Sequence, residues 1–311
     1  MSTAAIMALA LVIDSVVGWP ARLFARIGHP VTWLGALIAA CDRQWNRGTQ
    51  SQRRVMGGVT VLVVSAAAVI PAILVQAILP AGLWGVVLAA VLAWPLIAAR
   101  ALYDHVLAVA KPLAAEDLEG ARIAVSMIVG RDPAQLDDAG VARAGLESLA
   151  ENTSDGVVAP LFWGVVAGLP GLAFYKAVNT MDSMIGHRTE RHGAFGMIAA
   201  RLDDMLNLLP ARMTGLFIAL VSRRPRLALR VMWRDAHAHR SPNAGWPEAA
   251  MAGALGVRLS GPRVYADHVA SEPWLNGQAP DPGAAALHAG LALYTRSMVL
   301  CFALLVVLAV L

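Results

Sequence analysis

A chain of 311 residues in which 58% of side chains are hydrophobic and only 15% charged is too apolar for a soluble globular domain, where about a quarter carry charge. Its mean hydropathy of +0.59 points the same way. Lys and Arg number 25 against 21 Asp and Glu, and many arginines sit beside apolar runs, which fits membrane anchoring and not a nucleic-acid binder. Cys41 and Cys301, both in or beside apolar segments, have no partner spacing for a disulfide framework or a zinc site.

In chain order, the pattern predicts a single integral membrane domain over residues 1–311. It is all-α and polytopic, with broken or re-entrant helices and a cytoplasmic helical layer. The first apolar run, 4–18, has no basic stretch before it and is interrupted by Asp14, so it reads as a retained membrane segment and not a cleaved signal. Gly28-His29-Pro30-Val31 leads into a short apolar stretch ending near Ala40; His29 is either a turn residue or a ligand. Arg43, Arg47, Arg53 and Arg54 mark a cytoplasmic loop. Spans are expected at 55–79 and 83–99, the second with Pro95 as a kink point.

From 100 to 155 charge returns with amphipathic spacing, and this stretch is the expected soluble layer. Asp132-Pro133-Ala134-Gln135 reads as a helix start and Gly130 as the preceding stop, giving a helix from Pro133 to about Glu151. On it Glu147 and Glu151 share a face. Two readings stand side by side: a salt-bridged surface helix with Arg143 as counter-charge, or a pair of carboxylates for a metal or a cationic substrate. The stretch continues as Asn152-Thr-Ser-Asp155-Gly156 into an apolar segment, 157–178. That segment holds Pro160, Gly164, Gly168, Pro170 and Gly171, more breakers than a plain span collects.

Beyond it come Lys176, Asn179, Asp182 and Ser183, then Arg201, Asp203, Asp204 and Asn207 at the mouth of a further apolar run, 205–221. Two oxygen-rich clusters at helix mouths suit Mg²⁺, which keeps waters and bridges phosphates. Residues 222–234 carry five arginines, a second cytoplasmic signature. For all polar motifs to meet on that side, 157–178 and 205–221 are expected to be re-entrant or tucked into the bundle. The region 222–287 is expected to be largely polar loop, and 288–311 the last span. His237 and His239, two apart, do not converge on one metal along a helix. Neither standard nucleotide-binding motif, no nucleophile elbow and no Cys/His catalytic pair occurs. Phosphate chemistry therefore falls to the carboxylates with Mg²⁺, to arginines and to Lys176.

Glu147-x-x-x-Glu-Asn-x-x-Asp-Gly-Val-Val-Ala-Pro160, Tyr175-Lys-Ala-Val-Asn-Thr-Met-Asp-Ser-Met184, Ala200-Arg-Leu-Asp-Asp204 with Pro210-Ala-Arg212, and Ser241-Pro-Asn-Ala-Gly245 with Pro247-Glu-Ala-Ala-Met-Ala-Gly253 follow one another. Together with Gly28-His-Pro-Val31 and Gly130-Arg-Asp132, this series closely resembles the CobD/CbiB family of cobalamin-biosynthesis membrane proteins, over essentially the whole chain. One departure is Gly18-Trp19-Pro20, where the family usually has an acidic-Pro pair. The resemblance implies an ATP- and Mg²⁺-dependent ligase of the inner membrane with its active site on the cytoplasmic side. That enzyme is adenosylcobinamide-phosphate synthase, joining (R)-1-aminopropan-2-ol or its O-phosphate to a propionate carboxylate of the corrinoid adenosylcobyric acid.

On that reading Glu147, Glu151, Lys176 and Arg201 do chemistry, and Asp155, Asp203 and Asp204 hold metal. His29, Asn152, Asn179, Asp182, Ser183, Arg212, Ser241, Asn243 and Glu248 bind substrates. The expected partners are the corrinoid, aminopropanol phosphate, the lipid bilayer, and either a second copy or later enzymes of the corrinoid pathway. Two other classes fit the clusters less well: a Mg²⁺-dependent prenyl- or alcohol-phosphotransferase, and a transporter or corrinoid-binding scaffold.

Overall fold

A computed structural model describes residues 2–129, 134–264, 269–270 and 272–311, and nearly all of its regular structure is helical. Six stretches among the described residues are long and apolar enough to cross a membrane: Arg22–Trp45, Gln50–Ile78, Leu83–Ala114, Asp138–Ile185, Met197–Val221 and Ala284–Val310. The protein is thus an all-α polytopic membrane protein. It divides into two compact units, Met1–Ala98 with Ala159–Asn207 and Leu305–Leu311, and Ala99–Val158 with Leu208–Leu304.

The first unit opens with α1, Thr3–Val17, stopped where Gly18 takes φ 61° and its N–H reaches the Asp14 carbonyl. Its 15 residues rise only about 22 Å, short of a hydrocarbon core of about 30 Å. The span-length stretch next to it is Arg22–Trp45, made of α2 (Ala21–Ile27) and α3 (Pro30–Trp45), where the sequence pattern had offered only a short run to Ala40. Helix α4, Gln50–Ile78, starts five residues before the expected position 55. The reason is a reciprocal cap: the Gln52 N–H donates to Thr49 Oγ1 and the Thr49 N–H to Gln52 Oε1. Helix α5, Leu83–Ala93, ends before Pro95, which sits in a tight turn over Trp94–Leu96.

Helix α9, Ala159–Ile185, is broken as its glycines and prolines predict. Ala167 and Gly168 leave helical geometry, Gly168 at φ 65°, and the chain restarts with Leu169. The Leu169 N–H exposed by the break donates to Gln76 Oε1 of α4 at 2.9 Å, an internal partner that membrane burial demands. The face of α9 beyond the break buries Tyr175, Val178 and Met181 against Ile38, Val64 and Phe195. The turn between α9 and α10 (Met197–Val221) is pinned to the ends of α3 and α4. Asp42 binds Arg191 at 2.5 Å, Asn46 donates to the Arg191 carbonyl, and Arg53 donates to the carbonyls of Glu190 and Arg191.

The second unit holds α6 (Ala99–Ala114), α7 (Leu118–Ser126), α8 (Asp138–Asn152), the end of α10, α11 (Pro225–Asp235), α12 (Gly245–Leu255) and α13 (Ala284–Val310). The expected cap and first turn at Asp132-Pro133 lie outside the described residues. Helix α8 itself begins at Asp138, because the Asp137 side chain accepts from the Gly140 N–H at 2.7 Å. It is no surface helix: Val141, Leu146, Glu147 and Leu149 are all buried. It runs into one wide turn of π-helix, Thr153–Val158, a local distortion common at functional sites. The region 222–287, expected to be largely polar loop, instead holds helices α11 and α12 in its first part, and beyond them two antiparallel pairs of two-residue strands, β1 (Leu259–Ser260) with β4 (Trp274–Leu275), and β2 (Arg263–Val264) with β3 (Val269–Ala270).

Arg143 pairs with Asp281 and not, as its spacing suggested, with Glu147. Asp281 also takes a fork of two hydrogen bonds from Arg258 at 2.8 and 2.5 Å, and both guanidiniums lie over the Trp274 ring, at 4.7 and 4.3 Å. The Arg258 hydrogen bond, reinforced by Arg143 and opposed by partial burial, holds the Asp281 carboxyl down to about 2. An unfolded aspartate titrates near 3.9, so this clamp contributes its stability above about pH 4 and loses it as pH falls through about 2. The Trp274 emission, isolated by subtracting a Trp274→Phe protein, is expected to change in that window. In Asp281→Asn it is expected to show no such acid transition.

Candidate functional site

In the first unit, α9 beyond its break carries Lys176, Asn179, Thr180 and Ser183 at helical spacing on one face. With Val31, Thr32 and Gly35 of α3, and Met184, they line a pocket of about 480 Å³. Lys176 is only 9% exposed, among hydroxyls and the Asn179 amide. The neighbouring polar wall is a relay of defined partners. Asn179 Nδ2 donates to Asp203 Oδ1 at 3.3 Å, Asn207 Nδ2 to Asp203 Oδ2 at 2.9 Å, and the Tyr175 hydroxyl to Asn207 Oδ1 at 2.9 Å. Asp203 is 6% exposed. Asp182 and Asp204 are near enough for all three carboxylates to feel one another's charge, with Arg188 beside Asp204 and His187 beside Asp182.

Five of the residues singled out in the sequence, Lys176, Asn179, Asp182, Asp203 and Asp204, are thus brought together, with Ser183 on the pocket rim. Arg201 is not with them: it is exposed, about 200° around α10 from Asp203. His29 is built into the start of α3. Its Nδ1 accepts from the Val31 N–H at 3.2 Å, its ring bonds the Pro95 backbone, and Trp19 packs edge-on at 4.8 Å. An accepting Nδ1 places the ring proton on Nε2, and both nitrogens then serve the fold. Thr32 and Tyr175 belong to this constellation without having been singled out, and Asn207, noted with Asp203 and Asp204, joins them. Their signal was the i, i+4 spacing of Tyr175 with Asn179 and of Asp203 with Asn207.

The second unit holds two further groups. Glu147, 6% exposed, accepts the Ser260 N–H at 2.8 Å. Ser260 is one of few non-glycine residues at positive φ, 60°, so Glu147 fixes a strained strand end. Glu151 and Asn152 are exposed and Asp155 half-buried along the same helical run. Asn152 donates back to the Ser148 carbonyl, as a helix side chain does.

The other group surrounds the start of α12. Arg212 lies over the Trp246 ring at 4.5 Å and reaches Asn243 Oδ1 at 3.5 Å, while Ser241 Oγ accepts from the N–H groups of Asn243 and Ala244. Glu248 is 1% exposed and faces His239 Nε2 at 3.7 Å, while His239 Nδ1 accepts from the Ser241 N–H. Arg212, Ser241, Asn243 and Glu248 thus come together, and His239 joins them from a pair of histidines that spacing alone set aside. His237 instead packs edge-on against Trp246 at 5.0 Å.

Among the described residues no three His, Cys, Asp or Glu side chains form a metal cage. Asp182, Asp203 and Asp204 are nevertheless hard oxygen donors, of which Mg²⁺ typically uses one or two together with phosphate oxygens.

No solved structure matches the chain. The family model described as CobD/Cbib protein matches residues 7–294. The protein named "Cobalamin biosynthesis protein CobD" from Rhodobacter capsulatus is 64% identical over 298 residues, 96% of this chain and 95% of the relative. Like-named proteins from Brucella suis and Rhizobium meliloti are 49% and 47% identical, each over 87% of this chain and 86% of the relative. A family match over most of the length, with relatives this similar, fixes the assignment: the chain belongs to the CobD/CbiB family of cobalamin biosynthesis proteins.

Proposed function

We propose that the chain joins (R)-1-aminopropan-2-ol, or its O-phosphate, to a propionate carboxylate of adenosylcobyric acid in an ATP-dependent amide-bond formation, as an adenosylcobinamide-phosphate synthase. A carboxylate at neutral pH is a poor electrophile, so it is activated by taking a phosphoryl group from ATP; the amine then displaces phosphate. The observation that carries the reading is the pocket with Lys176 buried in its wall, next to a carboxylate relay. Phosphate-bearing groups need a fixed cation, and the substrate ammonium must give a proton to a carboxylate so that the neutral amine can attack. In this reading Lys176 attracts the phosphate, and Asp203, held by Asn179 and Asn207, receives the proton. Mg²⁺, when bound, neutralises phosphate oxygens; Asp182 and Asp204 are the side chains that would hold it.

Purified protein in detergent, given adenosylcobyric acid, aminopropanol phosphate and ATP-Mg²⁺, is expected to yield the amide by mass spectrometry, with one ADP per amide. A protein that stays folded and forms no amide from these three would remove the proposal.

We place this site at the cytoplasmic face of the inner membrane. The turn from Gly186 to Gly196 is tied to Asp42, Asn46 and Arg53, at the same end as Arg43, Arg47 and Arg54, and such arginine clusters stay in the cytoplasm. A cysteine introduced at Thr189 is expected to react with a membrane-impermeant maleimide only in inverted vesicles. Labelling in intact spheroplasts would reverse the orientation.

A further inference from the structure

We propose that α11 is a docking surface for the headgroups of anionic phospholipids. Helix α10, Met197–Val221, is long and apolar enough to enter a membrane, and three residues separate its end from Pro225, which opens α11. A linker that short, at about 3.6 Å per residue, holds the start of α11 within roughly 15 Å of the end of that apolar helix, and so close to a membrane surface. The two sides of α11 differ sharply. Ala228, Val231 and Met232 are buried, and α12 closes on them at Gly253, where an added Cβ would lie 2.8 Å from the Ala228 Cα. On the other side Arg226, Arg230 and Trp233 follow one another at i, i+4 and i+7 and are all exposed, Trp233 by 58%. Arg223 and Arg224, also exposed, extend the row towards the span.

Arg234 is neutralised by a fork to Asp235 at 2.5 and 2.7 Å. Among the described residues, Arg223, Arg224, Arg226 and Arg230 meet no carboxylate. Four like charges within eight residues repel one another, and on a helix lying at the membrane surface the matching charge is lipid phosphate. The exposed indole in the same row suits that depth, since tryptophan favours the headgroup region with one end apolar and the other wet. Basic residues with an aromatic, on a short helix hung directly from a span, define the occupant as anionic lipid.

The test follows thermal unfolding of the purified protein in neutral detergent during titration with phosphatidylglycerol or phosphatidylcholine. Phosphatidylglycerol is expected to raise the midpoint by about 3 °C more than phosphatidylcholine. The pair Arg226→Gln with Arg230→Gln is expected to lose at least about half of that difference, the pair Arg226→Lys with Arg230→Lys to keep it, and about 0.5 M salt to erase most of it. Inorganic phosphate is expected to leave the midpoint unmoved. A glutamine pair that fails to fold leaves the lysine pair and the salt series to decide. Equal responses to the two lipids would overturn the proposal and assign the surface to an acidic protein partner. An equal effect of free phosphate, or an undiminished response in a folded glutamine pair, would overturn it as well. None of these readouts depends on amide synthesis.

Discussion

Lys176→Met is expected to lower amide synthesis by about 10²–10³-fold, the cost of removing one preorganised charge-stabilising donor, while leaving the protein folded in the membrane. Methionine keeps the unbranched stem and roughly the volume, and the position is already almost fully buried. The Tyr175–Asn207–Asp203–Asn179 chain is held by hydrogen bonds among its own side chains and should survive intact. Steady-state rates of amide formation, with the melting curve alongside, check both halves. Wild-type turnover in a folded Lys176→Met protein would show that the pocket is not where the phosphate sits.

Gly57→Ala is expected to prevent folding of the first unit, whereas Gly58→Ala next to it should be harmless. A Cβ at Gly57 would stand 1.9 Å from the Phe195 carbonyl oxygen, where only backbone can move; at Gly58 it would meet the Ile198 Cδ1, a flexible side-chain tip, at 3.0 Å. Overpacking of the first kind costs about 3 kcal/mol or more. Alanine in place of glycine in a helix otherwise gains up to about 1 kcal/mol, so Gly58→Ala should land near neutral or above. The affected contact is where α4 meets the turn between α9 and α10, which positions Asp203. Monodispersity by size exclusion and the melting midpoint in detergent read the contrast directly. Equal behaviour of the two variants would mean that α4 does not approach Phe195 as closely as this.

The parts of this fold legible from sequence were those with local causes. Breakers from Pro160 to Gly171 announced the interruption of α9, and the apolar runs announced most spans. Lys176, Asn179, Asp182, Asp203 and Asp204 each stood out because polar side chains beside apolar runs are costly and seldom idle, but the sequence grouped the last two with Glu147, Glu151 and Asp155, and Lys176 with Arg201 and Arg212. What stayed hidden depends on distant partners. Glu147 looked like one half of a surface pair, yet its bond is to Ser260, 113 positions away. Arg143 found Asp281, 138 positions on. Nothing local shows that α3 supplies Val31, Thr32 and Gly35 to the pocket, because its short apolar stretch read as too brief to span. The start of α8 was misplaced because Asp132-Pro133 and Asp137-Asp138 both carry cap chemistry, and the local pattern does not rank them.

The interruption of α9 also bears on how the pocket meets its substrates. The segment from Leu169 to Ile185, about 25 Å of helix, is clamped at both ends. The Gln76 side chain grips its first N–H, and at its last carbonyl Gly196 packs so tightly that a Cβ there would stand 1.6 Å from the Ile185 oxygen. A rod fixed at both ends has little freedom to bend, so Lys176, Asn179 and Ser183 stand at set separations before any ligand arrives. On the proposed reaction, selectivity at this wall works by rejection: an amine whose phosphate and ammonium are spaced wrongly meets an unyielding ruler, and the ordering entropy of the wall was already spent when the chain folded.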